Sequence, residues 1–311
     1  MNASAQRIDK LLVIGVGLIG GSFALAQKAA AATGTIVGVG RGRINLEEAV
    51  NLGIIDRFVP LDGDWMSELA TTDVVLLATP VAQYPALFAA MAPHLGPHTI
   101  VTDAGSTKED VIAAARATLG AALPRFVPAH PIAGTEQSGA AAAISTLYAE
   151  RNVVLTPLAE TDPLALATVA AAWHTCGAHT RTLDAATHDH VFAAVSHLPH
   201  LLAFAFVDEL AARPDAEELF RFAASGFRDF TRIAASSSEM WRDISLANRD
   251  ALLAEVAAFR AQLDRIAAML TARDGAGLEA MFAAARAARR AWDSRRNAIR
   301  GRSPDDGTVE P

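Results

Sequence analysis

A histidine stands at the end of one predicted strand and at the start of a glycine-containing loop. The apolar segment Arg125–His130 reads RFVPAH, and HPIAGTEQSG follows at residues 130–139. Open α/β sheets bind their ligands beyond the carboxyl ends of the strands, so His130 lies where a general base would meet a substrate. The alternative is a surface histidine in a loop, but the position favours the general base.

A serine occupies a similar place after another predicted strand. Ser106 lies in the segment DAGSTK at residues 103–108, directly after the strand Thr99–Asp103. This motif also lies where strand ends should meet a ligand. Taken alone, however, it favours a structural role, because Ser106 could cap the next helix with Glu109 in its first turn.

Two more histidines share one face of a predicted helix. His197 and His200 belong to the segment SHLPH at residues 196–200 and are three positions apart. Pro199 removes a helical hydrogen bond and should kink the chain. We interpret both as facing a pocket; the alternative is that they are buried histidines with satisfied hydrogen bonds.

A metal site is a further possibility in the same run, because His188 and His190 lie just upstream. Asp189 between them is the single nearby carboxylate. No spaced set of Cys, Asp or Glu completes a recognisable ligand pattern, so we predict no metal.

An arginine pair lies in the segment GFRDFTR at residues 226–232. Phe227 and Phe230 should face the core, whereas Arg228 and Arg232 share another face. An arginine in a mostly apolar setting binds a carboxylate through two hydrogen bonds. From this segment alone, a surface salt bridge is an equally good explanation of the arginines.

The segment GVGLIG at residues 15–20 follows an apolar strand and opens a helix. In this context Gly15 permits a tight turn, Gly17 lets the backbone approach a pyrophosphate, and Gly20 lets helix and strand pack closely. The helix N-terminus then offers N–H groups to the phosphates. The residues predicted to bind a dinucleotide here are Gly15, Gly17, Leu18, Ile19, Gly20 and, at the end of the strand Asp73–Thr79, Thr79.

The second strand should end in an acidic residue that binds the adenosine ribose of NAD. That position holds Gly40, and Arg41 and Arg43 follow. Guanidinium groups suit a 2′-phosphate, so this loop modestly favours NADP over NAD as the cofactor. The alternative is that both arginines are solvated and that the backbone holds NAD.

Two parts of different architecture, an α/β part and a helical part, must position these residues. Strands alternate with helices up to about residue 183, which indicates a parallel, doubly wound sheet of Rossmann type. No strand pattern follows, and Leu252–Leu270 predicts one long amphipathic helix, with a second helix up to about Arg300. We therefore predict a dinucleotide-binding domain at 1–183, a helical domain at 184–300 and a disordered tail at 301–311. The segments predicted as strands are Lys10–Gly15, Thr35–Val39, Asp73–Thr79, Thr99–Asp103, Arg125–His130, Asn152–Thr156 and Thr180–Leu183.

Composition excludes several partners. The chain has 311 residues, 51% of them hydrophobic, and a formal charge of −7 without a basic stripe, so we expect no nucleic-acid partner. Its single cysteine fits a reducing compartment. The most apolar stretch, 191–207, is interrupted by Ser, His and Pro, which makes a poor membrane span. We expect a soluble, cytoplasmic protein.

Five motifs together resemble the prephenate/arogenate (cyclohexadienyl) dehydrogenase family of tyrosine biosynthesis. They occur in family order and cover most of residues 10–300. The motifs are GVGLIGGS at 15–22, DAGSTK at 103–108, HPIAGTEQSG at 130–139, SHLPH at 196–200 and FRDFTRIA at 227–234.

The resemblance implies a role for each matching residue. His130 would accept the proton of the ring hydroxyl, which Ser106 would orient, and Arg232 would bind the side-chain carboxylate of the substrate. His200, with His197, would contact the substrate. Residues implied to line or gate the pocket entrance are Glu136, Asp229 and Trp241.

The implied reaction is hydride transfer to NAD(P)⁺ with loss of carbon dioxide from prephenate or arogenate, by a homodimer formed through the helical domain. One rival is a β-hydroxyacid dehydrogenase, but that enzyme would need a lysine in the helical domain, and no lysine follows Asp184. The other rival is a catalytically silent dinucleotide sensor, which need not keep His130, Ser106 and Arg232 together.

Overall fold

The first part of the chain builds a parallel sheet. The structure, a computed structural model, describes the backbone of residues 8–300 and the side chains of residues 8–295. The strands of this sheet are β1 (Ile8–Ile14), β2 (Thr33–Gly40), β3 (Arg57–Pro60), β4 (Val74–Leu77), β5 (Ile100–Asp103) and β6 (Phe126–Val127). Their order is β3-β2-β1-β4-β5-β6, and all neighbours are parallel. The order reverses between β1 and β4, which is where such sheets bind dinucleotides.

The central strands are buried on both faces. In β1, Leu11 and Val13 contribute to one apolar cluster, and Leu12 and Ile14 contribute to the other. Successive side chains of a strand point to opposite faces, so a continuous apolar run is what a sheet covered by helices on both sides requires. This explains why the segment KLLVIG was readily predicted as a strand.

A second, smaller sheet departs from the prediction of one doubly wound sheet. Its strands are β7 (Ala129–Pro131), β8 (Asn152–Leu155) and β9 (His179–Thr182). Strand β7 is antiparallel to β8, and β8 is parallel to β9. The predicted strand Arg125–His130 is divided at Pro128, and the N–H of Ala129 donates to the Asp103 carboxylate at 3.0 Å. Strand β3 was missed, because RFVP is a short edge strand with a weak apolar pattern.

The helices of the first part pack on the two faces of the sheet, and every element described after β9 is helical, as predicted. The α-helices are α1 (Leu18–Ala29), α2 (Arg43–Asn51), α3 (Tyr84–Met91), α4 (Glu109–Thr118), α5 (Pro163–Thr175), α6 (Ala185–Phe192), α7 (Leu198–Ala211), α8 (Ala216–Arg221), α9 (Ser225–Thr231), α10 (Ser238–Ala247), α11 (Arg249–Thr271) and α12 (Gly275–Arg300).

Helices α6 and α7 form one continuous helical stretch with a wide turn between them. Residues Ala193–His197 form a π-helical turn directly before Pro199. Proline lacks the N–H that would continue the hydrogen-bond ladder, so the predicted irregularity is accommodated by widening the helix. In length and composition Ala185–Ala211 could cross a membrane, with a mean hydropathy of 1.5, although 28% of its most apolar window is buried inside the protein.

The chain divides into two compact units, one ending at Leu253 and one beginning at Ala254. Helix α11 covers the predicted amphipathic segment, and α12 begins at Gly275 after the predicted break. The predicted domain boundary between residues 183 and 184 follows β9 and stays a prediction. The predicted disordered tail, 301–311, lies outside the described residues.

Candidate active site

The loop after β1 forms an open cradle at the start of α1. Gly15 has a φ of +101°, and a Cβ there would lie 2.4 Å from the carbonyl oxygen of Ala78. A Cβ on Gly20 would lie 2.2 Å from the carbonyl oxygen of Gly15. By contrast, a Cβ on Gly17 would meet nothing within 4 Å, and no side chain caps α1. Two glycines therefore serve packing, and the third borders free space at a helix N-terminus, where anions bind.

A buried hydroxyl without a partner borders the same cradle. The Oγ1 atom of Thr79 is buried and makes no hydrogen bond within the described part of the chain, and the Thr79 side chain lies beside Gly15. Leaving a buried polar atom unpaired costs about 1–3 kcal/mol, so such atoms usually meet a ligand or water. The predicted residues Gly17, Leu18, Ile19 and Thr79 thus fit a bound dinucleotide.

The loop after β2 carries the two predicted arginines. Arg41 is exposed and lies 3.4 Å from the Glu239 carboxylate of α10. Arg43 pairs with Glu47 at 2.9 Å, and its guanidinium lies 6.0 Å from the centre of the Phe58 ring. Both guanidinium groups are exposed to solvent at the end of β2, and each forms an ion pair with a carboxylate.

His130 is buried in β7 and is hydrogen-bonded to a second histidine. Its Nδ1 lies 2.8 Å from Nε2 of His188, and Nδ1 of His188 lies 2.7 Å from Oδ1 of Asp189. The ring of Phe192 packs edge-on against His130 and at a tilt against His188, with centroids 4.8 Å and 4.5 Å away. Helix α6 therefore supplies a chain of side chains that ends on the predicted base.

Asp189 also caps α4. Its two carboxylate oxygens accept the backbone N–H groups of Lys108 and Glu109 at 2.8 Å and 2.9 Å. The predicted capping role of Ser106 is therefore filled by a residue 80 positions further along the chain. Ser106 is half-buried in the loop before α4, and its backbone lies near the ring of His197.

A buried ion pair lies beneath this loop. The Nζ of Lys108 lies 2.5 Å from Oδ2 of Asp103, and both side chains are fully buried. The Asp103 carboxylate also accepts the N–H groups of Gly105 and Ala129. Burial is the main cause that holds the pKa of His130 well below 6.5, and the neighbouring basic groups His188, Lys108 and His197 lower it further. His130 is therefore neutral at pH 7, as a proton acceptor must be.

His197 is positioned by an asparagine that the sequence did not indicate. Asn248 donates to the backbone oxygen of Asp189 at 2.7 Å and to Nδ1 of His197 at 3.1 Å. Burial is the main cause that lowers the pKa of His197, to about 4. Because Nδ1 accepts, the proton of neutral His197 is on Nε2, which is buried and has no hydrogen-bond partner among the described residues.

His200 stacks on Trp241 of α10. The two ring centroids are 3.6 Å apart with an angle of 19° between the planes. The Nδ1 of His200 donates to the backbone oxygen of Ser196, which lies in the π-helical turn, at 2.9 Å. Burial, and the positive charge of Arg232, lower the pKa of His200. The indole N–H of Trp241 is another buried donor without a partner in the described part of the protein.

Arg232 and Glu136 form an ion pair at the exposed rim of this group. The distance from Nη1 to Oε2 is 3.0 Å, and the two side chains are 58% and 39% exposed. Asp229, in contrast, is 76% exposed with its carboxylate 3.8 Å from Arg228, and the structure does not bring it to the site. Phe230 is 54% exposed, against the prediction that it faces the core.

The structure thus brings together most of the predicted site residues and adds others. Sequence reasoning treated His188 and Asp189 only as a discarded metal site, and it missed Asn248 and Glu239. A run of alternating His and Asp was the available signal, but it could not show which histidine lies beside His130. Within residues 8–300 no three metal-binding side chains converge on one point.

The strand order, the dinucleotide cradle and the buried neutral histidine in β7 are features of oxidoreductases that use a nicotinamide dinucleotide. The family model "Prephenate dehydrogenase, nucleotide-binding domain" matches residues 23–182, and "Prephenate dehydrogenase, dimerization domain" matches residues 184–284. The chain belongs to the prephenate dehydrogenase family, which confirms the resemblance stated from the motifs.

Individual relatives agree with this assignment. The cyclohexadienyl dehydrogenase of Zymomonas mobilis is 36% identical over 85% of this chain and 89% of its own. The structure of Aquifex aeolicus prephenate dehydrogenase in complex with hydroxyphenyl propionate and NAD⁺ is 34% identical with a TM-score of 0.83, covering 91% and 97% of the two chains. Synechocystis arogenate dehydrogenase is 28% identical with a TM-score of 0.73, covering 91% and 99%.

Proposed function

We propose that this chain oxidises and decarboxylates prephenate, arogenate or both, with transfer of hydride to a nicotinamide dinucleotide. The observation that carries this proposal is the buried, neutral His130 in β7, in a protein whose parallel sheet carries the dinucleotide cradle after β1. The names of the relatives support the substrate class, since they include a cyclohexadienyl, a prephenate and an arogenate dehydrogenase.

The residues divide the work between binding and proton transfer. His130 accepts the proton of the ring hydroxyl, and Ser106 orients that hydroxyl. Arg232 and His200 bind the side-chain carboxylate, which takes the place of the Glu136 carboxylate on Arg232. A bound nicotinamide would supply the hydride acceptor. Carbon dioxide then leaves and the ring becomes aromatic, so the enzyme contributes mainly orientation and one base, worth about 10²–10⁴-fold.

The loop after β2 supports a preference for NADP⁺ over NAD⁺. Gly40 supplies no carboxylate for the ribose, and the exposed guanidinium groups of Arg41 and Arg43 would exchange their partners Glu239 and Glu47 for a 2′-phosphate. A Cβ on Gly40 would come no closer than 3.4 Å to Leu46, so Gly40→Asp fits. We expect this substitution to lower the KM for NAD⁺ and raise the KM for NADP⁺. Equal use of both cofactors before and after the change would contradict the proposed preference.

The reaction is tested by mixing purified protein with prephenate or arogenate and with NAD⁺ or NADP⁺, and recording reduced nicotinamide by absorbance at each of the four combinations. Turnover in any combination supports the reaction, and the pattern shows both specificities. A folded protein that binds dinucleotide but turns over none of the four would favour the silent sensor instead. His130→Asn is the matched control, because it should lower turnover about 10²–10⁴-fold without preventing dinucleotide binding.

The protein is proposed to act as a cytoplasmic homodimer without membrane or nucleic-acid partners. Support comes from the family description of residues 184–284 and from large apolar side chains exposed in that part of the chain, such as Phe206 and Phe222. Helix Ala185–Ala211 is long and apolar, but its His188 and Asp189 are hydrogen-bonded to β7 and α4, so part of its surface packs against the rest of the fold. Sedimentation equilibrium tests the dimer, and a monomer at micromolar concentration would contradict it.

A further inference from the structure

We infer that Asp189 and His188 are positioning residues that hold His130 in the tautomer whose Nε2 is free to accept a proton. The inference rests on the proposed function, in which His130 is the base. It concerns residues that carry no assigned role, and it follows from the direction of four hydrogen bonds.

Asp189 determines which atoms donate and which accept in the series of hydrogen bonds from Asp189 through His188 to His130. Its carboxylate already accepts two backbone N–H groups at the start of α4. Burial raises the pKa of Asp189, but the hydrogen bonds from His188 and from the backbone outweigh burial, and the pKa is lowered overall. Asp189 is therefore ionised at neutral pH and can only accept hydrogen bonds.

Because the Asp189 carboxylate can only accept, the position of the ring proton follows for His188 and then for His130. Nδ1 of His188 must carry a proton, because it lies 2.7 Å from Oδ1 of Asp189. Burial keeps the pKa of His188 below 6.5 despite Asp189, so the ring is neutral and its Nε2 is a bare acceptor. Nδ1 of His130 must then donate to that nitrogen across 2.8 Å. The one proton of neutral His130 is thus on Nδ1, and Nε2 is left free.

The surrounding charges keep the chain in this state. Burial is the main cause that disfavours protonation of His130 in the absence of substrate, and the ammonium group of Lys108, which is paired with Asp103, adds to it. When His130 takes up the substrate proton at Nε2, the O–H bond breaks and its electron pair stays on oxygen. The Nδ1–H group of the resulting imidazolium then donates a charge-assisted hydrogen bond to His188, which is backed by the negative Asp189.

The capping of α4 does not by itself explain this arrangement. An asparagine has one acceptor oxygen and would keep only one of the two cap hydrogen bonds, so Asp189→Asn affects both the cap and the chain to His130. His188 caps no helix, and each of its two ring nitrogens is used in the chain to His130. His188→Asn therefore separates the two roles, since it leaves the cap of α4 unchanged.

The first test reads the tautomer directly, in the substrate-free protein. Long-range ¹H–¹⁵N spectra of protein labelled with ¹⁵N-histidine, assigned by comparison with His130→Asn, should show the proton of His130 on Nδ1 at pH 8. In Asp189→Asn and His188→Asn that preference should be lost. A His130 ring that carries its proton on Nε2 in the unsubstituted protein would overturn the inference whether or not the protein turns over prephenate.

The second test uses turnover and a double substitution. Each single variant should lower kcat about 10²–10⁴-fold with little change in KM, as expected for a base held in the wrong tautomer. In the His130→Asn background, Asp189→Asn should cost little further activity, because residues that act as one unit are not additive. A merely structural Asp189 would lower activity by the same factor in both backgrounds.

Matched controls guard against loss of the fold. Asp184→Asn changes a carboxylate that caps α6 through the N–H of Thr187, on the same helix and outside the chain to His130. Its kcat and its tautomer signal should match the unsubstituted protein. If the unsubstituted protein shows no turnover with any substrate and yet shows the Nδ1–H tautomer, the proposed function fails while the positioning of His130 stands.

Discussion

At the scale of single residues, the chemistry of this site depends on keeping four histidines neutral in a buried setting. Burial is the largest cause of the lowered pKa at His130, His188, His197 and His200. A neutral histidine offers one donor and one acceptor, so each ring has a direction that its neighbours impose. The motifs alone did not contain that information.

The lowered pKa of His130 predicts the acid limb of the pH profile. The base is active when neutral, so kcat/KM should stay constant as the pH falls to about 6.5 and should decline only below that value. Steady-state rates between pH 4.5 and 8 measure this, with enzyme stability checked at each pH. A decline centred at or above pH 6.5 would mean that the pKa of His130 is not lowered. A profile that stayed flat at all acidic pH values would contradict the role of His130 as the base.

Arg232→Lys is expected to raise the KM for the substrate about 10- to 100-fold with a smaller effect on kcat. A guanidinium binds a carboxylate through two parallel hydrogen bonds, whereas an ammonium offers a point charge, and such charge-assisted bonds are worth about 1.5–3 kcal/mol. Arg228→Lys is the matched control, since Arg228 is 80% exposed and contacts only Asp229 in the described side chains. Equal effects of the two substitutions would contradict the role of Arg232.

At the scale of elements, α10 connects the substrate side of the site with the cofactor side. Glu239, at its start, pairs with Arg41 in the loop after β2, and Trp241, two residues further on, stacks on His200. The carboxylate of Glu239 is therefore paired with the Arg41 guanidinium to which a 2′-phosphate would bind. The β2–α2 loop and α10 lie far apart in sequence, so only the folded chain shows this competition.

Glu239→Gln is expected to lower the KM for NADP⁺ by up to about fivefold and to leave the KM for NAD⁺ unchanged. The substitution frees Arg41 from an exposed ion pair, and such pairs are worth about 0–1 kcal/mol. Titration of each dinucleotide at saturating substrate measures the effect, with Glu217→Gln, on the exposed face of α8, as control. A rise in the KM for NADP⁺ would show that Glu239 positions Arg41 instead of competing for it.

At the scale of the whole molecule, the site places buried titratable groups between the parallel sheet and α6, α7 and α10. Strand β5 of the parallel sheet supplies Asp103, strand β7 of the smaller sheet supplies His130, and the helices supply His188, Asp189 and His197. Such a core is stable only while its histidines are neutral, because a charged ring in this setting loses its hydration.

Acid should therefore destabilise the fold well before the carboxylates titrate. The folded pKa of each site histidine is below the unfolded value of 6.5, so the unfolded state binds more protons below that pH and stability falls as the pH drops. For His197 alone, with a pKa of about 4, the loss between pH 6.5 and pH 4 is about 3 kcal/mol. Urea unfolding at pH 7.5, 6 and 5 measures it. A His197→Asn variant should lose less stability over this range, and equal losses would contradict the assignment.

Much of the fold could be predicted from local patterns. The strands KLLVIG and DVVLLAT are continuous apolar runs, and a strand buried on both faces requires such a run. The amphipathic spacing of Leu252–Leu270 likewise predicted α11. The short edge strand β3 and the departure of β7 from the parallel sheet were not predictable, because they depend on pairing partners and on the carboxylate of Asp103.

The sequence by itself determined the dinucleotide cradle, the family and the positions of His130, Ser106, His197, His200 and Arg232, because glycines at a strand–helix turn and polar residues at strand ends have fixed consequences in an open sheet. Only the tertiary structure decided that Asp189 caps α4, that His188 bonds to His130, and that Asn248 and Glu239 join the site. The physical reason is that a hydrogen bond depends on distance and direction in space, and residues 60 to 200 positions apart acquire both only when the helices have packed against the sheet.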